Sequence, residues 1–330
     1  MERLVAALAS AYGLAVERAE RIDFGIWEES FSVWTDRGRV FAKRFLRKDR
    51  KDEVMLRGLH LSERLRGAGF PAPRIAPARA SGDLVATVDG ERYQVTEWVE
   101  GVCYHPGEMP ARCVAPMGAL LGRFHRLVGG ERPALAGGFN SPGAAASQCR
   151  ALLERYRQSP AEPFSGVAAA VLEEQIGLLE ALPLDYADRL PLPQLGGACF
   201  NSFWSEQILF RPDGEVAALV DWTDGAGKPG FWADDLDTGI HLSALGLPAI
   251  GAFVAGYQSE NPLPEGEWRA LAASLCYEHL ASVNFLYGWF QRPYRRMADW
   301  EATAERWHRL VPVRFRQYGA IEEAMLEAVR

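Results

Sequence analysis

The fold is decided by one stretch: Ile208-Leu209-Phe210-Arg211-Pro212-Asp213-Gly214-Glu215-Val216-Ala217-Ala218-Leu219-Val220-Asp221-Trp222-Thr223-Asp224-Gly225. Two apolar runs flank Asp213-Gly214, a turn signal, and predict a β-hairpin from Ile208 to Val220. Its second strand leads directly into Asp221. A carboxylate at the end of a buried strand is costly unless it meets a cation or hydrogen-bond donors. Mg²⁺ accepts one carboxylate together with phosphate oxygens, so Asp221 is a candidate metal ligand; the alternative is a turn aspartate that caps the next helix.

A second candidate lies upstream, where a lysine interrupts the apolar strand Val40-Phe41-Ala42-Lys43-Arg44-Phe45. The turn signal Thr35-Asp36-Arg37-Gly38 joins this strand to the one before it. In nucleotide-binding kinase folds, a strand lysine contacts phosphates and is held by a glutamate on a helix. Glu53, early in the following helix, is the expected partner of Lys43, and Glu63 is the alternative. The other interpretation is a solvated lysine on a strand face.

The order of elements predicts two lobes and an α+β fold class. Residues 1–97 have the alternation of a small sheet with one helix, and residues 98–330 are mainly helical, with the hairpin near residues 200–222 embedded in them. The junction reads Glu97-Trp98-Val99-Glu100-Gly101. Its backbone N–H and C=O groups suit the edge of an adenine, and Gly101 allows the chain to turn. The alternative is a plain connection between the lobes.

Composition excludes several classes of protein. The 330 residues are 48% hydrophobic and 24% charged, with a formal charge of −7, so neither nucleic acid nor an anionic membrane is an expected partner. No apolar run approaches the length of a membrane helix. The five cysteines are scattered and form no CxxC pair, which favours a reducing cytoplasm. The run from Leu4 to Val16 predicts an amphipathic helix rather than a secretory signal.

The series of motifs resembles the aminoglycoside phosphotransferase/choline kinase superfamily over nearly the whole chain. The series comprises Tyr12-Gly13-Leu14, the Lys43 strand, Phe70-Pro71-Ala72-Pro73, Glu97 to Gly101, Leu121-Gly122-Arg123-Phe124-His125 and Val220 to Asp224. Residues 61–101 are most similar to the bacterial spore-coat kinase-like and homoserine-kinase-like branches. The resemblance implies a bilobal protein-kinase-like fold with ATP between the lobes. It also implies a Lys43–Glu53 ion pair, a hinge at Thr96 to Val99 with Glu97 and Val99 at the nucleotide, and Mg²⁺ on Asp221.

The catalytic loop departs from the pattern of that superfamily. Aligned on Ile208-Leu209-Phe210, it reads Phe200-Asn201-Ser202-Phe203-Trp204-Ser205-Glu206-Gln207. Asn201 and Trp204 match family variants. Ser202, however, stands at the catalytic aspartate position, Phe200 at the histidine, and Gln207 at the metal-binding asparagine. A neutral hydroxyl cannot accept the substrate proton as a carboxylate does, and Gln207 displaces its amide oxygen by one methylene.

Two other acids are candidates to replace the missing base: Glu206, beside Gln207, and Asp224, three residues after Asp221. The expected phosphate loop, Phe24-Gly25-Ile26-Trp27-Glu28-Glu29, has one glycine, and its two glutamates repel a nucleotide if they point inward.

Two functional hypotheses follow. The first is a cytoplasmic pseudoenzyme, a kinase fold that keeps partial or weak binding of ATP and Mg²⁺ and serves as a binding module, with a protein partner and, from the resemblance, spore association as options. The second is an active ATP-dependent phosphotransferase, using a substitute base, that acts on a small hydroxyl- or amine-bearing metabolite of the aminoglycoside, choline or homoserine kind.

Overall fold

The computed structural model describes residues 1–22, 28–46, 52–130, 138–158, 165–283 and 300–330. An N-terminal β-sheet is followed by a mainly helical part that carries two short antiparallel ribbons. The predicted α+β kinase-like fold class is confirmed. The sheet ends at Glu97, and the division of the chain at residues 97 and 98 stays a prediction.

The N-terminal sheet contains six strands in the order β1-β2-β3-β6-β4, with β5 paired to the free part of β6. Every pairing in it is antiparallel. The strands are β1 (Val16–Ile22), β2 (Glu28–Thr35), β3 (Gly38–Phe45), β4 (Ile75–Ala76), β5 (Ala86–Val88) and β6 (Glu91–Glu97). The predicted hairpin turn at residues 35–38 joins β2 and β3.

The register of the sheet gives its two faces different roles, because residues directly opposite one another share a face. Ala42 lies opposite Phe31 and Val95, and this apolar face packs on an N-terminal helix. That helix is α1 (Glu2–Ala7), continued by a π-helical turn over Leu8–Tyr12. The other face carries Lys43, opposite Ser30 and Gln94. It faces the remainder of the protein, so the lysine of β3 points into the cleft.

The helix that follows β3, α2 (Asp52–Gly67), packs directly against the segment after Asp221. A Cβ atom built on Gly58 would lie 1.8 Å from the carbonyl oxygen of Trp222. Only a residue without a side chain allows this approach. The contact fixes the rotation of α2 and brings its apolar residues Met55 and Leu59 into the largest core of the protein.

The helical part is built around the pair α3 and α7. Near Gly118 a Cβ would lie 2.0 Å from the Phe253 carbonyl oxygen, so the two helix backbones touch. The helices are α3 (Ala111–Val128), α4 (Pro142–Gln158), α5 (Ser165–Glu180), α6 (Trp232–Leu242), α7 (Leu247–Glu260), α8 (Glu265–Ala273), α9 (His279–Ala281), α10 (Trp300–Arg316) and α11 (Tyr318–Glu327). A π-helical turn over Ser274–Glu278 joins α8 to α9.

The two short antiparallel ribbons flank residues 200–207 and Asp221 along the chain. The first, β8 (Ile208–Phe210) with β9 (Val216–Leu219), is the predicted hairpin. The second, β7 (Gly196–Cys199) with β10 (Lys228–Phe231), was not predicted, because glycine, alanine and proline give no strand signal. Of the predicted elements, the glycine-containing loop over residues 24–27 lies outside the described residues.

None of the helices in the described ranges combines the length and apolar character needed to cross a bilayer.

Replacing Gly58 by alanine tests the seat of α2 on Trp222. The added methyl collides with backbone that cannot rotate away, so we expect Gly58→Ala to lower the free energy of unfolding by about 1–3 kcal/mol. The matched control is Gly67→Ala on the same helix, where a Cβ meets nothing within 4 Å. Urea denaturation measures both. Equal midpoints for Gly58→Ala and the parent would contradict the close approach.

Candidate functional site

A direct ion pair joins the two parts of the chain across the cleft. Lys43 Nζ donates to Asp221 Oδ1 at 2.6 Å. The Lys43 side chain is only 9% exposed, and that of Asp221 is 24% exposed. Both residues are therefore largely removed from water, where an uncompensated charge is costly. Motifs 178 residues apart in the sequence thus meet at one point, and together they provide a cation and a carboxylate in a partly enclosed cleft.

The expected pair between Lys43 and Glu53 is wrong, and so is the alternative with Glu63. The Glu53 side chain is 82% exposed and pairs with Arg57 at 3.3 Å. Glu63 accepts hydrogen bonds from Arg66 and from the Ile75 N–H. The reason is helical geometry: both glutamates are five residues from Gly58, which rotates them about 140° away from the face that rests on Trp222.

The surroundings of Asp221 favour a coordinated ligand. Thr223 Oγ1 donates to Asp221 Oδ1 at 3.0 Å, and Gln207 Nε2 lies 3.5 Å from Asp221 Oδ2. Asp221 has φ +62°, in the left-handed region that costs energy for a residue with a side chain. A half-turn of the Gln207 amide places its oxygen on the same side as the carboxylate. Carboxylate and amide oxygens are ligands that Mg²⁺ accepts, so the residues fit this metal.

The loop predicted to be catalytic, residues 200–207, is held by one buried carboxylate. Asp235, in the first turn of α6, accepts the Phe200 N–H at 2.6 Å and the Asn201 N–H at 2.7 Å. Asn201 has φ +66°, and its amide donates to the carbonyls of Cys199 and Gly225. Two loops are thereby tied together beside Asp221. Hydrogen bonds to an ionised group are roughly twice as strong as neutral ones, so this is a firm attachment.

A buried chain of hydrogen bonds supports Asp235. His125 Nε2 lies 3.0 Å from Asp235 Oδ2, and His125 Nδ1 lies 2.8 Å from the Tyr257 hydroxyl. Complete burial lowers the pKa of His125, although the hydrogen bond to Asp235 opposes that shift. The neutral imidazole therefore donates through Nε2 and accepts at Nδ1 from Tyr257. The Asn261 amide donates to the same hydroxyl at 2.8 Å, which completes the chain of partners.

Phe200 does not loosen the loop, although it stands where the resemblance predicts a histidine. Its ring packs edge-on against Trp222, with centroids 5.1 Å apart, and against Phe124 at 5.9 Å. Aromatic pairs in this geometry are stabilising beyond the area they bury. The packing of the Phe200 ring and the hydrogen bonds from the loop backbone to Asp235 thus fix the position of residue 202.

The residues proposed to act as a base are placed differently from one another. Ser202 is half-buried within the loop, and Asp224 is exposed at the turn after Asp221. The Glu206 side chain is only 1% exposed, and His105 Nδ1 donates to its Oε1 at 2.7 Å. Burial raises the pKa of Glu206, and the hydrogen bond from His105 opposes that shift. Glu206 is thus enclosed and held by His105, a partner that the sequence did not indicate.

The predicted hinge residues differ in whether their backbone groups are already hydrogen-bonded within the protein. The Glu97 N–H donates to the Arg74 carbonyl at 2.9 Å, and Glu97 Oε1 accepts the Arg74 N–H at 2.8 Å. In the described part of the chain, no hydrogen bond engages the N–H or C=O of Val99. Glu29, from the expected phosphate loop, lies on the other face of the sheet and pairs with Arg44.

A second group of charges lies on α6 beyond Asp235. Asp237 Oδ2 accepts from His279 Nε2 at 2.7 Å. Desolvation by surrounding groups, together with the nearby carboxylates of Glu278, Asp237 and Asp235, raises the pKa of Asp234 to about 6. The pattern Asp234-Asp235-Leu236 was visible in the sequence, but only the structure separates the loop-binding Asp235 from its crowded neighbour.

Comparisons with known proteins identify the family. Residues 19–273 match the APH family, the phosphotransferase enzyme family. A homoserine kinase of Gluconacetobacter diazotrophicus is 30% identical over 243 residues, which cover 68% of this chain and 67% of that protein. The chain therefore belongs to the phosphotransferase enzyme family, and the superfamily predicted from the motifs is confirmed.

Solved structures show the same fold. A microcompartment-associated aminopropanol kinase aligns over 99% of both chains, with a TM-score of 0.60 and 17% identity. An amicoumacin kinase, solved with AMP-PNP, Ca²⁺ and its antibiotic, aligns over 94% of this chain and 93% of that one, with a TM-score of 0.59 and 14% identity.

Replacing Asp235 tests the attachment of the loop. Asparagine puts an N–H₂ group where one of the two backbone N–H groups or His125 needs an acceptor, so buried donors lose their partner. We expect Asp235→Asn to lower the free energy of unfolding by about 2–4 kcal/mol. Hydrogen exchange at the Phe200 and Asn201 amides should accelerate more than elsewhere. Asp83→Asn, at an exposed position, is the control. Unchanged protection at both amides would refute the attachment.

Replacing Asp234 tests the charge crowding through its pH dependence. The pKa of Asp234 is about 6 in the folded state against an ordinary 3.8, so ionisation of Asp234 destabilises the folded state. The penalty is absent below pH 3.8, grows between pH 3.8 and 6, and is complete above pH 6. Asp234→Asn should therefore raise stability at pH 8, by about 1 kcal/mol after solvent screening, and have little effect at pH 4. An equal effect at both pH values in thermal unfolding would rule out the crowding.

Proposed function

We propose that this phosphotransferase family member is a pseudoenzyme that binds a nucleoside triphosphate with Mg²⁺ but does not use the general-base mechanism of the family. One observation carries the proposal: the catalytic loop is fully held in place, yet residue 202 within it is a serine. A loop that had lost its role altogether would also lack the hydrogen bonds and packing that hold it in place. Asp235, Asn201 and Phe200 instead keep theirs, and the departures from the expected pattern are the side chains at positions 200, 202 and 207, among them the proton acceptor.

Binding is assigned to the groups that meet across the cleft. Lys43 supplies a positive charge for phosphate oxygens, while Asp221 and the Gln207 amide supply oxygens for the metal ion. In the structure Lys43 and Asp221 compensate each other. A phosphate group and Mg²⁺ entering between them would compensate each residue separately. The metal supplies neutralisation of phosphate charge when bound. The nucleobase would meet the backbone of Val99 at the hinge.

Loss of the base weakens catalysis without removing the binding site. A general base contributes about 10²–10⁴-fold to a rate, or about 3–5 kcal/mol. Of the two possible substitutes, Glu206 is enclosed against His105 and Asp224 is exposed at a turn.

A second candidate function is active phosphoryl transfer to a small hydroxyl compound that carries an amine. The observation that favours it is the group of carboxylates on and around α6: Glu278, Asp237 and Asp235 concentrate negative charge around Asp234. Such a surface complements an ammonium group. The related homoserine kinase is named for a hydroxylated amino acid, which supports this class of substrate. The base would then be Glu206, paired with His105, or Asp224.

Nucleotide binding is tested by thermal shift with Mg²⁺ and ATP. A ligand that binds only the folded state raises the unfolding temperature, so we expect stabilisation by millimolar ATP. Lys43→Met should weaken binding at least several-fold, because the phosphates lose their cation. Arg150→Met removes a positive charge from the exposed surface of α4 and should leave binding unchanged. No shift in the parent protein at millimolar ATP would refute the binding site.

Catalysis is tested by restoring the missing groups. Ser202→Asp with Gln207→Asn places a carboxylate and a shorter metal ligand on a loop that is already in position, so turnover of radiolabelled ATP with amino alcohols should rise above the parent. Ser147→Asp with Gln148→Asn makes the same changes on the exposed surface of α4 and is the control. A parent that already turns over about once per second, the lower end for kinases, would exclude the pseudoenzyme and favour the active phosphotransferase.

A further inference from the structure

An arginine beside the hinge contacts two tryptophan rings. The Arg39 guanidinium carbon is 3.5 Å from the ring centroid of Trp98 and 4.5 Å from that of Trp34. A planar cation over the face of an indole is attracted by the ring quadrupole, and tryptophan is the strongest of the aromatic partners. One guanidinium thus lies over two indole rings. Arg18, which lies opposite Trp34 on β1, also covers this ring, with its guanidinium carbon 4.6 Å from the ring centroid.

This stack lies on the same face of the sheet as Lys43. Trp34 is directly opposite Arg39 in the β2–β3 register, and Lys43 is four residues further along β3. Side chains alternate between the faces, so positions 39, 41 and 43 point the same way, with about 7 Å between successive members. Since Lys43 reaches Asp221 in the cleft, the stack of Arg39 with the two tryptophans lines the outer end of that cleft.

Further bonds fix the arginine and the hinge to one another. Arg39 Nε donates to Ser32 Oγ at 2.8 Å, and Arg39 Nη1 lies 3.5 Å from Glu100 Oε1. Glu100 Oε1 also accepts from Trp98 Nε1 at 2.8 Å. Arg39 therefore links two strands of the sheet to residues on both sides of Val99. A connection that served only to join the lobes would not need such a set of contacts.

We propose that Arg39 is a positioning residue for the nucleobase: by holding Trp98 it presents the backbone of Val99 to the base at the outer end of the cleft. This inference rests on the proposed nucleotide site, and it adds a residue that selects for the base end of the nucleotide. Arg39 has no part in binding the phosphates, which belong to Lys43 and Asp221. The ligand class is a nucleoside triphosphate, distinguished from inorganic tripolyphosphate.

The requirement is for a flat cation that can stack on two rings. Lysine has a compact ammonium group, which lacks the flat surface that Arg39 offers to the two rings and cannot keep the bond that Nε makes to Ser32. Methionine keeps the length of the side chain and removes both the charge and the planar group. A graded loss from arginine to lysine to methionine is therefore expected.

Calorimetry with Mg²⁺ and either ATP or inorganic tripolyphosphate tests this role. We expect Arg39→Met to weaken ATP binding about five- to tenfold while leaving tripolyphosphate binding unchanged, with Arg39→Lys between the two. Arg37→Met, in the exposed turn of the same hairpin, removes the same charge without touching either tryptophan and should behave as the parent. A merely structural role would weaken both ligands equally or neither.

The outcomes separate this inference from the function on which it rests. If the parent binds neither ligand, the proposed nucleotide site fails. If the parent binds ATP and Arg39→Met binds it equally well, or loses both ligands in proportion, the positioning role of Arg39 is overturned and the nucleotide site stands. Urea denaturation of each variant confirms that it is folded at the temperature of the titration.

Discussion

A buried carboxylate on α6 holds the centre of the structure together. Asp235 accepts two backbone N–H groups from the loop at Phe200 and Asn201 and is itself supported by His125. A charge in this position is tolerated only because donors surround it, and the same donors would be costly to bury without it. The loop, the helix and the chain of hydrogen bonds through Tyr257 therefore form one unit. Asp221 and Gln207 lie beside this unit because the hairpin starts where the loop ends.

Across the cleft, the sheet adds the other half of the site. Lys43 reaches Asp221 from β3, and α2 touches Trp222 through Gly58, so the two parts of the chain meet at adjacent residues. The geometry thus retains the groups expected for binding phosphate and metal. What differs lies in the loop, which carries Phe200, Ser202 and Gln207 where the resemblance predicts a histidine, an aspartate and an asparagine. Binding without general-base catalysis is the function we propose from these two observations.

The sequence predicted those parts of the site that depend on local patterns. Lys43 within an apolar strand and Asp221 after a hairpin are such patterns, and the order of motifs placed both residues in one cleft. The partner of Lys43 was wrong because the rotation of α2 depends on the contact of Gly58 with Trp222, which no local pattern encodes. Neither could the sequence show that His105 encloses Glu206 or that Arg39 stacks on Trp98, since each pair joins distant segments through tertiary packing.

The central claim is that nucleotide is bound and left intact. Its most direct test is to incubate the protein with stoichiometric Mg²⁺ and ATP in the presence of homoserine for several hours. The protein-bound fraction is then recovered by gel filtration on a column equilibrated with the same Mg²⁺ and ATP, which preserves a weak complex, and the nucleotide in it is identified by chromatography. The account predicts a bound fraction that contains ATP. Bound or released ADP together with a phosphorylated acceptor would contradict the account.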